Sequence, residues 1–402
     1  MSSTEVELLR QSLGQQLVGS PLNEEHILAG WLTGCEGNAT LAAERLSRHL
    51  LYRQLLGLDG LGLEAAEMEE EERRFFPGSS FQLTVENAER LELLQVLAVG
   101  RMDWSGILSC MASSAFIRTG IELLETAWAA ARLAAAAKSL PAKLVFIIDL
   151  QGLVYDQPTL VALNGAVKGL CRFLADNYME ICQRIVIVNA PQLFGTVWKL
   201  VSPMIAKRTR AKVAVLGKTW RKELPALLPL HTLPTQWLQG TTSEDSLVRS
   251  PAKVPSYLLH QQDADRNVDL EKKTLPRNGV LMREFHVEDG CGESLEWELR
   301  CERNVLFGIY FSPTEATLGP SPTLDHINTA LQMIHPTFSL TPHPLPEKGE
   351  VSTKQAGFYY VYLGNESGLV SKSIHLKLRL LRTGQSSAAF SFIGEGDEAA
   401  LY

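Results

Sequence analysis

The sequence predicts an α/β domain preceded by a helical region and followed by an antiparallel β-sandwich. Three observations carry that expectation. Residues 1–74 are rich in Leu, Ala, Glu and Arg, with apolar positions recurring three and four apart. Three short apolar runs, at 144–149, 184–189 and 212–217, are separated by helical stretches, as strands buried on both faces of a mainly parallel sheet would be. Beyond residue 273 the apolar period becomes two, the pattern of half-buried antiparallel strands.

In chain order, the helical region holds two stretches, 17–32 and 41–56. Ala43, Leu46 and Leu50 share a face of the second, Asn38 or Thr40 caps it, and Gly57 ends it. The acidic run from Glu67 to Glu72 reads as a solvated helix face or connector, and Phe75-Phe76-Pro77-Gly78 opens a new region. A strand is expected over 91–99, then a helix with Ile121, Leu124, Trp128, Ala131 and Ala135 as its apolar stripe. One further helix, 159–178, separates the first two apolar runs, and another stretch separates the second and third. Residues 241–272 are polar with two prolines and read as a linker with room for a docked segment. Strands follow at 295–301, 305–311, 358–363 and 374–380, with the Pro-rich stretch 312–346 as a long loop. The domain expectation is therefore 1–74 helical, 75–240 α/β, 241–272 linker, 273–382 sandwich and 383–402 tail.

Composition excludes whole classes of function. Of the 402 residues, 45% are apolar and 21% charged, as in an ordinary globular chain, and the net charge of −7 argues against general nucleic-acid binding. Cys35, Cys110, Cys171, Cys182, Cys291 and Cys301 form no C-x-x-C pair and no zinc spacing with His, so no metal site is expected. The first residues lack the basic and apolar regions of a signal peptide, and no run reaches the roughly 18 apolar residues of a membrane span. A cytosolic location with reduced thiols is the expectation. Gly217-Lys218-Thr219 resembles the end of a phosphate loop, but Lys212 stands where its first glycine belongs. With no G-x-G-x-x-G after a strand, no G-x-S-x-G and no H-E-x-x-H, no catalytic residues are assigned and no enzyme is expected. An α/β domain of this kind points to binding.

The informative segment is 185–217. Leu193, Val197, Leu200, Val201 and Met204 recur at helical spacing, and Phe194, Trp198 and Ile205 broaden the stripe. Ser202-Pro203 is a natural place for the helix to bend or restart. An ordinary core helix explains the periodicity. A mobile apolar lid over a greasy pocket also explains its breadth. Seven bases and no acid then fall within sixteen residues, at Lys207, Arg208, Arg210, Lys212, Lys218, Arg221 and Lys222. A solvated helix end, or attraction to anionic lipid, accounts for them.

Ile148-Asp149-Leu150-Gln151-Gly152-Leu153, Asn177-Tyr178-Met179-Glu180, the 187–217 segment and Leu233-Pro234-Thr235-Gln236-Trp237-Leu238-Gln239-Gly240 closely resemble the CRAL-TRIO lipid-binding domain. The helical start at 27–59 looks like that family's N-terminal region. Leu295-Glu296-Trp297-Glu298-Leu299, Gly357-Phe358-Tyr359-Tyr360-Val361-Tyr362, Asn365 and Ser371-Lys372 resemble a GOLD domain. The combination resembles the animal CRAL-TRIO–GOLD proteins.

The resemblance implies a carrier that encloses one phospholipid or neutral lipophile, in place of any cofactor, under a gate helix. Phe194, Val197, Trp198, Val201, Met204 and Ile205 match the gate. Glu180, Thr209 and Lys212 match the head-group positions of phosphoinositide-binding relatives, although Met179 replaces a proline and the basic N-terminal stretch reads Thr33-Gly34-Cys35-Glu36-Gly37. The hydroxyls associated with phosphatidylcholine fall at Val154 and Asp156 and are missing, so a neutral lipophile gains ground. Lys207, Arg208 and Arg210 are the membrane-docking candidates. The reading is a cytosolic lipid-binding and transfer protein, transiently on intracellular membranes with the Golgi one candidate, whose GOLD-like domain contacts a protein partner. The alternative is a trafficking adaptor or lipid-sensing regulator acting through that domain.

Overall fold

The structure is a computed structural model that describes residues 2–60, 73–79, 84–86, 89–192, 194–205, 207–229, 231, 233–240, 248–259, 270–288, 293–319, 321–365 and 370–381. The acidic run 67–72 and the tail 383–402 lie outside these residues. The chain divides into two compact units, Met1–Ile107 with Ile117–Leu259, and Leu108–Phe116 with His260–Tyr402.

The first unit starts with helices Ser3–Leu13, Glu25–Gly34 and Ala39–Leu56. Ser2 and Glu5 form a capping box on the first, worth about 1 kcal/mol. Asn38 caps the third by accepting from the Leu41 N–H, and Gly57 closes it in the left-handed conformation. The helix expected over 17–32 is broken. Gly19 sits at φ 75° and Pro21 follows, so the chain turns and the helix restarts at Glu25.

The five-stranded sheet runs Thr84–Glu86, Leu91–Leu97, Ala142–Asp149, Cys182–Val188, Val213–Val215. The first pair is antiparallel and the remaining three pairings are parallel, with crossovers through helices. The first crossover includes Ser113–Ala136, whose Ile121, Trp128, Ala131 and Ala135 are buried as the stripe requires. The helix expected over 159–178 is two, Gln157–Asn164 and Ala166–Asn177, divided at Gly165, whose φ of −103° and ψ of −113° are not helical. Val213–Val215 is an edge strand with Val215 44% exposed, so the third apolar run is not buried on both faces.

The N-terminal helices share a core with this sheet: Leu28, Trp31, Leu32 and Leu46 join Leu91, Leu93, Leu144 and Trp128. Arg53, buried, donates to Glu125 at 2.5 Å and to Asp59 at 2.7 Å, and the Tyr178 hydroxyl also donates to Glu125. Within the stretch read as a linker, Val248–Arg249 pairs with Gly78–Ser79, and Val248 is fully buried.

The second unit has two four-stranded antiparallel sheets in the arrangement of a β-sandwich. One runs Glu347–Thr353, Glu293–Cys301, Lys372–Leu381, Glu271–Leu275; the other runs Gln332–Leu340, Val305–Ser312, Gly357–Gly364, Val280–Val287. Leu295, Trp297 and Leu299 point inward while Glu296 and Glu298 alternate with them, and Trp297 meets Phe307 and His335 of the opposite sheet. The stretch 312–346 is not one loop. It contains the helix Leu324–Ala330, capped by Thr323, and the edge strand Gln332–Leu340. Pro336 is tolerated there because the strand lies at the sheet's edge, beside a register shift opposite Ile309.

Candidate lipid-binding site

The two faces of the parallel sheet are covered differently. Parallel register puts Phe146 and Ile148, Ile185 and Ile187, and Val213 on one face. The alternate residues Leu94, Val96, Val145, Ile147, Val186 and Val188 occupy the other and are completely buried. On the first face Phe146, Ile148, Ile185 and Val213 stay half-buried, although Phe146, Ile148 and Ile185 belong to interior strands. Apolar side chains in the middle of a sheet, left partly uncovered, make a surface suited to an apolar ligand.

The cover of that face includes Leu150, Leu163 and Phe194, with Leu153, Tyr155, Val167 and Trp198 packed against them. Phe194–Val201 forms a helix, followed by the 3-10 turn Ser202–Met204, so the chain tightens at Ser202-Pro203. Phe194 and Trp198 stack with ring centroids 6.1 Å apart, and this helix lies against Gln157–Asn164. Phe194 is buried while Trp198 and Ile205 are half-buried. The side chains of Val197, Val201 and Met204 lie outside the described ones.

The segment leading into this helix is held from the closed face. Asp149 ends its strand with its carboxylate buried; Oδ1 accepts from the Gln151 N–H at 2.9 Å and Asn189 Nδ2 at 2.7 Å, and Oδ2 accepts from Trp237 Nε1 at 2.9 Å. Asn189, at φ 53°, accepts from Trp220 Nε1 at 2.8 Å, and Trp220 stacks on Trp237 at 4.8 Å. The short polar side chain of Asn tolerates the left-handed turn that directs the chain towards Pro191. The spacing of Asp149 and Asn189 after their strands is visible in the sequence; their partnership with two tryptophans is not.

The head-group candidates gather at the opposite, amino end of the strands. Glu180, at φ 56° and mostly buried, faces Lys212 Nζ at 2.8 Å and Arg208 Nε at 3.1 Å, while its backbone oxygen accepts from Lys143 Nζ. Burial pulls the Lys143 pKa down, against the attraction of Glu180, and burial pushes the Cys182 thiol up to about 12. Thr209 is half-buried in the short helix Lys207–Arg210. Of the docking candidates, Lys207 and Arg210 are exposed; Arg208 is also engaged, donating to the Thr33 carbonyl at 2.7 Å besides its pairing with Glu180. Val154 is exposed, and Asp156 caps Gln157–Asn164 through the Thr159 N–H at 3.0 Å. Among the described residues no single helix is long and apolar enough to cross a membrane, and no cluster of three His, Cys, Asp or Glu side chains could hold a metal ion.

The α/β unit thus has a mainly parallel sheet with one closed face and one half-open apolar face. Residues 121–237 match the family model of the CRAL/TRIO domain. It is 19% identical over 359 residues to a CRAL-TRIO domain-containing protein of Caenorhabditis elegans, spanning 86% of this chain and 82% of that one. It is 26% identical over 236 residues to Protein real-time of Aedes aegypti and 22% identical over 211 residues to a second CRAL-TRIO domain-containing protein of C. elegans. The matches span only 35% and 28% of those two relatives' lengths. Among solved structures, that of Sfh5 aligns over 54% of this chain and 81% of its own, at 14% identity and a TM-score of 0.41.

Proposed function

We propose that this chain holds one lipid or other lipophile against the half-open face of its sheet and transfers it between membranes without catalysing a reaction. The asymmetry of burial carries this reading: Val145 and Ile147 are inaccessible, while their neighbours Phe146 and Ile148 are not. An apolar chain seated there gains about 0.8 kcal/mol per buried CH2. The segment 194–205 is the proposed gate, with Phe194, Val197, Trp198, Val201, Met204 and Ile205 as its proposed ligand-contacting residues. A membrane surface gives that apolar helix an alternative partner when the ligand leaves.

Glu180, Thr209 and Lys212 are the proposed head-group contacts. Lys143, Arg208 and Lys212 outnumber the one carboxylate they surround, so an anionic phosphate can replace Glu180 as a partner of Arg208 or Lys212. Phosphatidylcholine is disfavoured, since Val154 faces solvent and the Asp156 carboxylate serves as a helix cap. Lys207 and Arg210, with Arg208 where it exchanges partners, dock the domain on anionic intracellular membranes. The sandwich, likened by sequence to a GOLD domain, contacts a protein partner. The test is native mass spectrometry of the full chain purified from its own cells, then extraction and identification of what it carries. A stoichiometric lipid is expected; a chain that neither carries one nor takes one up from vesicles would overturn the reading.

A further inference from the structure

The turn after Ala142–Asp149 sends three consecutive side chains to three environments. Val154 is 63% exposed and Asp156 caps the next helix. Tyr155, between them, packs against the cluster of Leu150, Leu163, Ile187 and Phe194 that also receives Trp198. Its hydroxyl is buried and has no hydrogen-bond partner among the described residues. Burial alone acts on it and pushes its pKa up, so it remains a neutral donor and acceptor. By contrast Tyr178, in the same unit, donates its hydroxyl to Glu125 at 2.7 Å. Buried hydroxyls are nearly always paired, and phenylalanine would pack this cluster without the desolvation penalty.

We propose that the Tyr155 hydroxyl is the polar anchor of the bound lipophile, hydrogen-bonding one uncharged oxygen, a hydroxyl or carbonyl, at the ligand end under the Phe194 helix. The proposal rests on the lipophile-binding reading and names the class of ligand. An uncharged oxygen follows from the surroundings: Leu150, Leu163, Ile187 and Phe194 offer no cation, and an ionised group would be desolvated there for a single hydrogen bond. Lys143, Arg208 and Lys212 lie at the amino ends of the strands, whereas Tyr155 follows the carboxyl end of Ala142–Asp149. A ligand spanning the face therefore meets charge at one end and a neutral hydroxyl at the other. The sequence directs attention to positions 154 and 156, but the hydroxyl sits on the residue between them.

The test uses the full chain and two probes matched in length, 1-hexadecanol and hexadecane, competing against a fluorescent acyl probe. The parent is expected to bind the alcohol about tenfold more tightly, or about 1.4 kcal/mol. Y155F is expected to erase that preference by weakening the alcohol and leaving hexadecane unchanged. The ligand-free variant should melt no lower than the parent, because the hydroxyl removed has no partner among the described residues. A preference retained in Y155F, or an equal loss for both probes, would overturn the anchor. Binding of both probes to the parent without distinction would overturn the anchor alone. If neither probe binds the parent, the lipophile-binding reading fails and the anchor falls with it.

Discussion

The two faces of the parallel sheet differ in what holds them. On one, Val145, Ile147, Val186 and Val188 are sealed beneath Trp220, Leu224 and Trp237, and the Asp149 carboxylate ties that cover to the strand end. On the other, Phe146, Ile148, Ile185 and Val213 stay half-buried, and the Tyr155 hydroxyl in the cluster with the last three has no hydrogen-bond partner among the described residues. Neighbouring residues of one strand thus serve opposite ends: alternate side chains contribute stability on the closed face and leave a surface to be filled on the open one. A folded chain is stable by only about 5–15 kcal/mol, so a half-open face must be offset by a well-closed one.

The most disruptive way to break this contrast is Asp149→Ala. It removes three hydrogen bonds and strands Trp237 Nε1 and Asn189 Nδ2 in a buried site. A loss of about 3–5 kcal/mol in urea unfolding is expected, with a change in tryptophan emission. A loss below about 1 kcal/mol would show that the closed face is not held there. The sharper comparison pairs two adjacent isoleucines. Ile147→Ala should cost about 2–5 kcal/mol and Ile148→Ala about half as much, because part of the second side chain is already accessible. Bound lipid should widen the cost at Ile148 towards that at Ile147; equal costs in lipid-free protein would refute the asymmetry.

The cover over the amino end of the open face contains its own titrating group. His49 is packed between Trp31 and Tyr178, and burial, reinforced by the nearby Arg53 charge, holds its imidazole down at about 3. The unfolded chain takes up that proton near the ordinary His value of about 6.5, so stability rises with pH between about 3 and 6.5 and is lost as pH falls through that window. The slope from this group is at most about 1.4 kcal/mol per pH unit. His343, held near 4 in the sandwich, adds a similar slope, so the measurement is the difference between the parent and His49→Phe. An unchanged slope would mean that His49 accepts its proton in the folded state. The smallest effect on stability is expected from Lys207→Glu with Arg210→Glu, both exposed, which should alter melting little. Binding to anionic vesicles should fall in that variant and in the salt-treated parent alike; parental binding at low salt would leave the basic run a solvated helix end.

Much of this was legible along the chain. Period and punctuation foretold the parallel strands, a helix through the stripe now seen in Ser113–Ala136, a cap at Asn38 or Thr40 that proves to be Asn38, a break in the helix at Ser202-Pro203 and the alternating strands of the sandwich. These depend on residues a few positions apart, whose steric and hydrogen-bonding preferences act within one turn or one pleat. The same logic misjudged the stretch 312–346, where prolines suggested a loop and an edge position allowed a strand.

The sequence by itself determined most of the parallel strands, the long apolar-striped helix and the period-two strands of the sandwich and, through motif resemblance, which kind of ligand to look for. Only the tertiary structure decided which face of the sheet is closed, that Val213–Val215 is an edge, that Arg208 engages Glu180, and that the Tyr155 hydroxyl has no partner among the described residues. The reason is distance along the chain. Asp149 finds Asn189 40 residues away and Trp237 88 residues away, and a side chain's burial is set by every element that crosses above it. Periodicity tells a residue which way to point; what it meets there depends on the packing of segments far removed in sequence.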